Sequence, residues 1–96
     1  MTVVRQYQML AKPGQAAALA AVLGRAAALF GAEPGFREAE LLQDIEEPEQ
    51  FVFTHRWDSI ERHQAATSHL PADFLADFGS ALERIVQGRY LSAVAI

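Results

Sequence analysis

The sequence contains no cysteine. Disulfide bonds, thiolate nucleophiles and thiolate metal sites are therefore excluded. The chain also has no His-Glu-x-x-His motif, no phosphate-binding glycine-rich loop and no Gly-x-Ser-x-Gly motif. His63 and His69 are six residues apart, a spacing that does not place two histidines on one side of a helix. The sequence supports neither metal nor nucleotide chemistry, and we expect no cofactor.

Charged residues are also few. They make up 21% of the chain, and the formal net charge is −4. Lysine and arginine are scattered from Arg5 to Arg89 and do not form the basic stripe that follows a phosphate backbone. No apolar run reaches the ~20 residues of a membrane span, and the first residues lack the layout of a signal peptide. We expect a cytoplasmic protein that binds neither nucleic acid nor a membrane.

Apolar residues, by contrast, make up 51% of the 96 residues. A chain of this length predicts one domain, residues 1–96, which buries only about 60 to 70% of the surface that its unfolded chain exposes. The composition is rich in apolar residues for a small monomer that must wet its whole surface. It therefore favours a homodimer.

Four segments have the composition of β-strands, because β-branched and alternating apolar residues are bounded there by turn residues. The turn Lys12-Pro13-Gly14 ends the first segment, and an acidic turn over residues 46–49 separates the second from the third. The middle two strands should form a hairpin. The predicted strands are Val3 to Ala11, Phe36 to Asp44, Gln50 to Trp57 and Tyr90 to Ile96.

Helical patterns fill the intervals after the first and third strands. From Gln15 to Phe30 the chain is rich in alanine, and its larger apolar residues recur at steps of three and four. Asp58 is predicted to be the N-cap of a second helix, with Glu61 completing a capping box. A further helix follows, and Gly88 interrupts its pattern. The apolar face of this helix is predicted to be Phe74, Leu75, Phe78 and Leu82.

The order of these elements is βαββαβ, which is typical of the ferredoxin-like α+β class: a four-stranded antiparallel sheet with the helices on one face. In the third strand, alternation places four residues on one side, namely Phe51, Phe53, His55 and Trp57. The first and last strands carry apolar residues on both sides. Since the helices cover only one face, we expect a homodimer formed through the other sheet face, giving a dimeric α/β barrel.

Several segments resemble the antibiotic-biosynthesis monooxygenase family of dimeric α/β barrels. They are Pro13-Gly14, Pro34-Gly35-Phe36, the stretch from Phe51 through Trp57-Asp58-Ser59 to Glu61, and the helix with Phe74 and Phe78. The family includes cofactor-independent oxygenases of anthrone-type polyketides and quinols, haem-degrading enzymes and many proteins of unassigned activity. The resemblance implies a cofactor-independent monooxygenase that uses O₂ on a small aromatic, polyketide or quinol-like substrate.

One position departs from the family pattern. The family commonly has a histidine about nine residues after the tryptophan, and counting from Trp57 gives Ala66 there. His63 lies three residues earlier, which on a helix is the same side one turn back. The haem-degrading branch resembles the chain less, because its axial histidine is expected where Ala72-Asp73-Phe74 stands. Haem is disfavoured.

A cofactor-independent oxygenase needs a base with a pKa near neutrality, donors for the resulting oxyanion and a dry pocket. The candidate bases are His63 and His55, and Trp57 offers an indole N–H and a stacking face. Arg56 or Tyr7 is a candidate to stabilise negative charge. The pocket is expected on the helical side near Trp57, and its predicted lining residues are Tyr7, Phe51, Phe53 and Phe74.

A structural interpretation remains open for the same residues. Trp57 suits core or dimer packing, and His63 suits a hydrogen-bonded structural histidine. His69 is simplest as an inter-helix loop residue, Arg56 as an intersubunit ion pair, and the acidic cluster after Asp44 as a solvated hairpin tip. The alternative function is a non-catalytic small-ligand-binding or structural dimeric domain. A pocket that touches Trp57 and a histidine favours the enzyme, whereas a filled volume favours the alternative.

Overall fold

The computed structural model describes residues 2–96. It confirms the predicted βαββαβ order, with the second helical segment divided into two helices. The elements are β1 Val3–Ala11, α1 Ala16–Gly31, β2 Phe36–Gln43, β3 Gln50–Trp57, α2 Ile60–Thr67, α3 Ala72–Ala81 and β4 Leu82–Ser92.

The strands form one antiparallel sheet in the order β2-β3-β1-β4, which is the ferredoxin-like arrangement. Strand β1 is central, so each of its residues has a neighbour on both sides. Arg5 lies opposite His55 of β3 and Tyr90 of β4, and the next residue on the same face, Tyr7, lies opposite Phe53 and Gly88. This register brings the two ends of the chain together across the sheet.

Helix α1 covers the face of the sheet that carries the aromatic residues of β3. Half of its 16 residues are alanine, which has the highest helix propensity and lets the helix approach the sheet closely. The buried residues of α1 recur at helical spacing and pack with the aromatic residues of β3; they are Leu19, Val22, Leu23, Ala26 and Phe30.

The start of α2 differs from the prediction. Ser59 is the N-cap, and its hydroxyl accepts a hydrogen bond from the Arg62 backbone N–H at 3.2 Å. Asp58 instead accepts from Arg37 Nε at 2.7 Å, and its backbone N–H donates to the Gly35 carbonyl at 2.8 Å. The predicted capping box between Asp58 and Glu61 was wrong, because Asp58 is held against the turn before β2 and the helix begins one residue later.

Strand β4 also differs from the prediction. It begins at Leu82, directly after α3, and ends at Ser92, so the predicted strand Tyr90 to Ile96 was placed too late. Register shifts against β1, next to Met9 and next to Ala11, disrupt the simple alternation that sequence reasoning relies on. Gly88 lies inside the strand, where an added Cβ would be 3.0 Å from Arg5 Nη2 and 3.2 Å from the Tyr7 ring. An added Cβ would therefore require Arg5 or Tyr7 to shift slightly, so the glycine reflects close side-chain approach and not a chain break.

The face away from the helices, which we call the open face, is mixed in character. Val4, Leu10 and Val52 alternate there with polar residues such as Gln6 and Thr54. The expectation of two apolar faces is therefore correct only in part. The molecule is 17 Å in its shortest dimension, as expected for one sheet and one layer of helices.

Arg56 projects to the open face as predicted, and its Nε lies 3.0 Å from Glu38 of the same chain. The neighbouring strand therefore supplies the partner that was expected from a second subunit. None of the helices within residues 2–96 is long and apolar enough to cross a membrane.

Candidate functional site

His55 and Trp57 form a buried pair at the end of β3. They are two residues apart on one face of the strand, and both are at most 1% exposed. Trp57 Nε1 donates a hydrogen bond to His55 Nδ1 at 2.6 Å. Because an indole nitrogen is only a donor, Nδ1 of the neutral His55 ring must be the acceptor and its proton lies on Nε2. In this arrangement His55 has no free lone pair, and the N–H of Trp57 is already occupied.

His63 extends from α2 into the same cluster and is 3% exposed. Its Nδ1 lies 2.7 Å from Tyr90 Oη, a firm hydrogen bond. Its Nε2 lies 3.5 Å from Tyr7 Oη, at the outer limit for such a bond. Ala66 is buried on the same side of the helix, so His63 does face the direction of the family histidine position, one turn earlier. Nε2 is the less engaged nitrogen of His63.

Burial keeps both histidines neutral. It lowers the pKa of His55 to about 3, with further contributions from the charges of His63 and Arg5. It lowers the pKa of His63 to about 4, again with a contribution from Arg5. The pKa of Tyr90 is raised, chiefly by burial, so Tyr90 stays a neutral phenol. A guanidinium beside the two histidines supplies the positive charge that lowers both of their pKa values further.

That guanidinium belongs to Arg5 of β1. Its central carbon lies 4.5 Å from the centre of the Tyr7 ring and 4.3 Å from the centre of the Tyr90 ring. Both distances are within the range of a cation–π contact. Arg5 therefore lies between the two tyrosines whose hydroxyl groups flank His63.

An apolar cavity of about 100 Å³ lies between the sheet and the helices, next to this cluster. Tyr7 belongs to both, because its ring lines the cavity while its hydroxyl approaches His63. Almost all of the other lining residues are apolar. They come from every layer of the helical side: Met9, Leu23, Ala26, Phe30, Phe53, Thr67, Leu70, Phe74, Phe78 and Ile85.

Tyr7, Phe53 and Phe74, predicted to bind substrate, lie on the cavity wall. Phe51 is buried in the core but lies outside the lining. His55, His63 and Trp57 also lie outside it, and the Phe30 ring separates the cavity from Trp57, with ring centres 5.5 Å apart. The cavity is thus on the helical side as expected, and its lining residues Tyr7, Phe30 and Phe53 separate it from His55.

Sequence reasoning missed Arg5, Tyr90 and Phe30. Arg5 and Tyr90 come from opposite ends of the chain and meet only because β1 and β4 pair in this register. The periodicity of α1 did identify Phe30 as an inward residue, although not as a partner of Trp57 and His55. No pattern within a single segment could have assigned these three residues to one cluster.

The remaining polar residues lie elsewhere. His69 lies in the turn between α2 and α3, as predicted, with its Nδ1 3.0 Å from Glu33. Asp44 accepts hydrogen bonds from the backbone N–H groups of Glu46 and Glu47 at the exposed hairpin tip. Among residues 2–96 there is no group of three side chains placed to hold a metal ion.

Two larger depressions also occur. One of about 430 Å³ lies on the open face, where its lining includes Val4, Thr54, His55, Arg56 and Leu91. Another, of about 560 Å³, follows the acidic hairpin tip. The first has a mixed lining and the second a mostly polar one, and neither contains His63 or Tyr7, so the small apolar cavity is the better candidate for a site.

Three structures resemble this chain closely. A Chloroflexus aurantiacus protein provisionally assigned as an antibiotic biosynthesis monooxygenase is 29% identical, with a TM-score of 0.83 over 99% of this chain and 95% of its own. SnoaB, a cofactor-independent oxygenase from Streptomyces nogalater, is 18% identical, with a TM-score of 0.85 over 99% and 95%. Rv0793 from Mycobacterium tuberculosis is 21% identical, with a TM-score of 0.80 over 100% and 98%. The last two similarities establish the fold alone.

No curated protein matches this chain. The family model described as antibiotic biosynthesis monooxygenase matches residues 1–73, which includes β1 through α2 and therefore Arg5, Tyr7, His55, Trp57 and His63. The chain belongs to the antibiotic biosynthesis monooxygenase family.

Proposed function

We propose that this protein is a cofactor-independent monooxygenase that oxidises an electron-rich phenol or quinol with O₂. The observation that carries the proposal is the position of Tyr7, whose ring lines the apolar cavity and whose hydroxyl lies 3.5 Å from the lightly engaged Nε2 of His63. A hydroxyl group of a substrate in the cavity would meet this pair of residues first. The Streptomyces nogalater relative, described as a cofactor-independent oxygenase, supports the same chemistry.

His63 is the proposed base. When its Nδ1–H donates to Tyr90 Oη, its Nε2 carries the free lone pair that a base requires. Its pKa of about 4 makes it neutral before the reaction. A phenolate forming beside it raises that pKa, because an opposite charge favours the protonated ring. The proton passes from the substrate to Nε2, directly or through the Tyr7 hydroxyl.

The substrate itself supplies the electrons in the proposed reaction. The phenolate gives one electron to O₂, and the resulting radical and superoxide combine at a ring carbon that bears hydrogen. The peroxide anion takes the proton held on His63 and becomes a hydroperoxide. The ring carbon then loses its hydrogen to His63 as a proton while the O–O bond breaks, and a carbonyl remains on the ring. The departing hydroxide takes that proton from His63 and leaves as water. One oxygen atom of O₂ enters the product and the other becomes water.

The size of the cavity favours a substrate with one ring. At about 100 Å³, it is smaller than the ~150 Å³ cavity that holds benzene in an engineered protein. A single ring enters with small movements of the side chains in the wall. A three-ring anthrone requires α2 or α3 to move. Among the substrate classes that the family resemblance implies, quinols and simple phenols therefore fit better than polyketides.

His55 and Trp57 are proposed to position the site and not to act as bases. His55 Nδ1 accepts from Trp57 Nε1 and so has no lone pair left for a base, and the pair packs against His63 with ring centres 5.3 and 5.7 Å away. These contacts fix the orientation of the His63 ring against β3.

A non-catalytic ligand-binding domain is the second candidate. The observation that favours it is that His63, His55 and Trp57 lie outside the cavity lining. In that case the histidines are satisfied core residues, and the cavity binds a small apolar molecule without reaction. The two candidates differ in whether His63 affects anything beyond stability.

We also propose that two copies of the chain associate through the open face. Leu42 and Leu91, opposite Val52 and Val4 on the open face, are 48% and 38% exposed in the single chain, and Val94 and Ile96 after β4 are more exposed still. Since the helices cover only the other face, a second copy is the partner that would cover these residues symmetrically.

Oxygen uptake tests the proposed reaction. We expect uptake with single-ring hydroquinones and slower or no uptake with anthrones. His63→Gln should lower kcat by roughly 100-fold or more, the contribution typical of a positioned base. His69→Gln is the matched control, because His69 is exposed and lies outside the cluster, and it should leave kcat unchanged.

Two results would contradict the proposal. The first is a lack of uptake with every phenol, quinol and anthrone, although a fluorinated benzene binds in the cavity by ¹⁹F NMR. The second is uptake that His63→Gln leaves unchanged. Either result would favour the ligand-binding candidate.

A further inference from the structure

Two buried N–H groups in the cluster have no acceptor. Within residues 2–96, the buried side-chain nitrogen and oxygen atoms without a hydrogen-bond partner are Arg5 Nε and His55 Nε2. Buried donors are nearly always paired, so two in one cluster require an explanation. Both are on the helical side of the sheet, where Arg5 and His55 are direct neighbours on β1 and β3.

His55 Nε2 is a donor because of its partner on the other side of the ring. Trp57 Nε1–H occupies Nδ1, so the single proton of the neutral imidazole is on Nε2. His55 is 1% exposed, so its Nε2–H does not reach bulk solvent. The ring centres of Phe30, Phe53 and Tyr7, all three of them cavity residues, lie 4.9 to 5.8 Å from the centre of the His55 ring.

Arg5 carries a positive charge that no carboxylate neutralises. None of the ion pairs found in the described part of the chain includes Arg5. Its flat faces contact the rings of Tyr7 and Tyr90, which leaves the N–H groups at the guanidinium edge to find an acceptor. The negative charge of Glu61, on α2, contributes to the raised pKa of Tyr90. Glu61 is exposed, however, and makes no ion pair with Arg5.

Gly88 lies beside the side chains of Arg5 and Tyr7 and, having no side chain, leaves room for them. An added Cβ there would lie 3.0 Å from Arg5 Nη2 and 3.2 Å from the Tyr7 ring, closer than side-chain atoms normally approach. A side chain at the position opposite Tyr7 on β4 would therefore press on the guanidinium and the tyrosine ring.

We propose that Arg5 and His55 form an oxyanion site that binds the deprotonated oxygen of a phenol or enol at the edge of the apolar cavity. A negatively charged oxygen would accept hydrogen bonds from both N–H groups. It would also neutralise the positive charge of Arg5. The identity of the ligand rests on the proposed function. The site would favour the phenolate over the phenol and so place Arg5 among the residues that determine which substrates react.

The test uses 4-fluorophenol, whose ¹⁹F chemical shift distinguishes phenol from phenolate. Titration of the bound ligand should give a pKa at least about one unit below that of free 4-fluorophenol, which corresponds to about tenfold tighter binding of the phenolate. Fluorobenzene measures the cavity without the oxygen. Arg5→Met should remove the lowering of the pKa and leave fluorobenzene binding within about twofold of the unmodified protein.

Two further variants make the test specific. Arg89→Met removes the same charge one residue from Tyr90, but on the open face, and should retain the lowered pKa. Gly88→Ala keeps the Arg5 charge but crowds Arg5 Nη2 and the Tyr7 ring, and should reduce the lowering even if Arg5→Met fails to fold. A lowered pKa that survives Arg5→Met would overturn the proposal, as would tighter binding of 4-fluorobenzoate than of 4-fluorophenolate.

The oxyanion site and the proposed oxygenase reaction can be refuted independently. Phenolate binding that depends on Arg5, without any oxygen uptake, would refute the oxygenase and keep the oxyanion site. Uptake that depends on His63, without lowering of the bound phenol pKa, would refute only the oxyanion site.

Discussion

His55 and His63 are both buried, yet their ring nitrogens have different partners. His55 is fixed as a donor by Trp57, whereas His63 has one nitrogen held by Tyr90 and one near the Tyr7 hydroxyl. A single substitution therefore has different consequences at the two positions. At His55 it disturbs a buried pair, and at His63 it removes the proposed base.

Both histidines should make the protein sensitive to acid. In the unfolded chain their pKa is the ordinary 6.5, and in the folded chain it is about 3 for His55 and about 4 for His63. The unfolded state binds more protons between these limits, so the free energy of unfolding falls as the pH falls below about 6.5. The slope reaches up to about 1.4 kcal/mol per pH unit for each histidine. Urea unfolding from pH 8 to pH 4.5 measures it.

Two variants show whether His63 causes this pH dependence of the free energy of unfolding. His63→Gln should reduce the loss of stability between pH 6.5 and pH 4.5, whereas His69→Gln, which removes an exposed histidine, should leave it unchanged. An equal slope in both variants and the unmodified protein would show that His63 does not contribute to acid sensitivity.

Sequence reasoning at this scale succeeded where burial follows from alternation. The alternation of β3 predicted that His55 and Trp57 share a face, and helical spacing predicted that His63 faces the side of Ala66. It could not show that Trp57 donates to His55, because that contact depends on side-chain rotamers.

At the scale of elements, the turns that join α1 to β2 and β3 to α2 pack against each other. Gly35 adopts a positive φ of 88°, and an added Cβ would lie 2.7 Å from Cγ of Arg62. The Gly35 carbonyl also accepts the Asp58 backbone hydrogen bond. This contact aligns the start of α2, and hence His63, with the sheet.

Gly35→Ala should therefore destabilise the fold by more than Gly14→Ala. Both glycines have positive φ, which costs an L-residue about 1 kcal/mol or more, but Gly14 has open space where the Cβ would be added. The excess for Gly35 reports the close approach of Arg62. Thermal or urea unfolding of the two variants measures the difference, and equal destabilisation would contradict the tight contact.

The elements also show where patterns within one segment fail. The order and the first three strands were predicted to within a residue at their ends, because their turns contain proline, glycine or acidic residues. Strand β4 was misplaced because Gly88 was interpreted as a break. Gly88 lies inside the strand, where the side chains of Tyr7 and Arg5 approach it closely, and both residues are far away in the sequence.

At the scale of the whole molecule, one sheet face is covered by helices and the other is exposed. If two copies associate through the open face, the mass in solution should be twice the 10.5 kDa of the chain. Leu91→Arg, on the open face opposite Val4, should shift the mass toward that of one chain. Light scattering at micromolar concentration measures both.

Leu75→Arg is the matched control for this experiment. Leu75 is 50% exposed on α3, in the helical layer, and should tolerate the same change without loss of the dimer. A single-chain mass for the unmodified protein would contradict the proposed dimer, and dissociation by Leu75→Arg but not by Leu91→Arg would place the interface on the helices instead.

The sequence alone determined the order of the elements, the aromatic face of β3 and the family, because these depend on local periodicity, turn residues and short motifs. Only the tertiary structure decided that Arg5, Tyr90 and Gly88 meet beside His63, and that two buried N–H groups have no acceptor. The reason is physical. Strand register joins residues from opposite ends of the chain, and no composition or spacing within one segment specifies which side chains will then be neighbours.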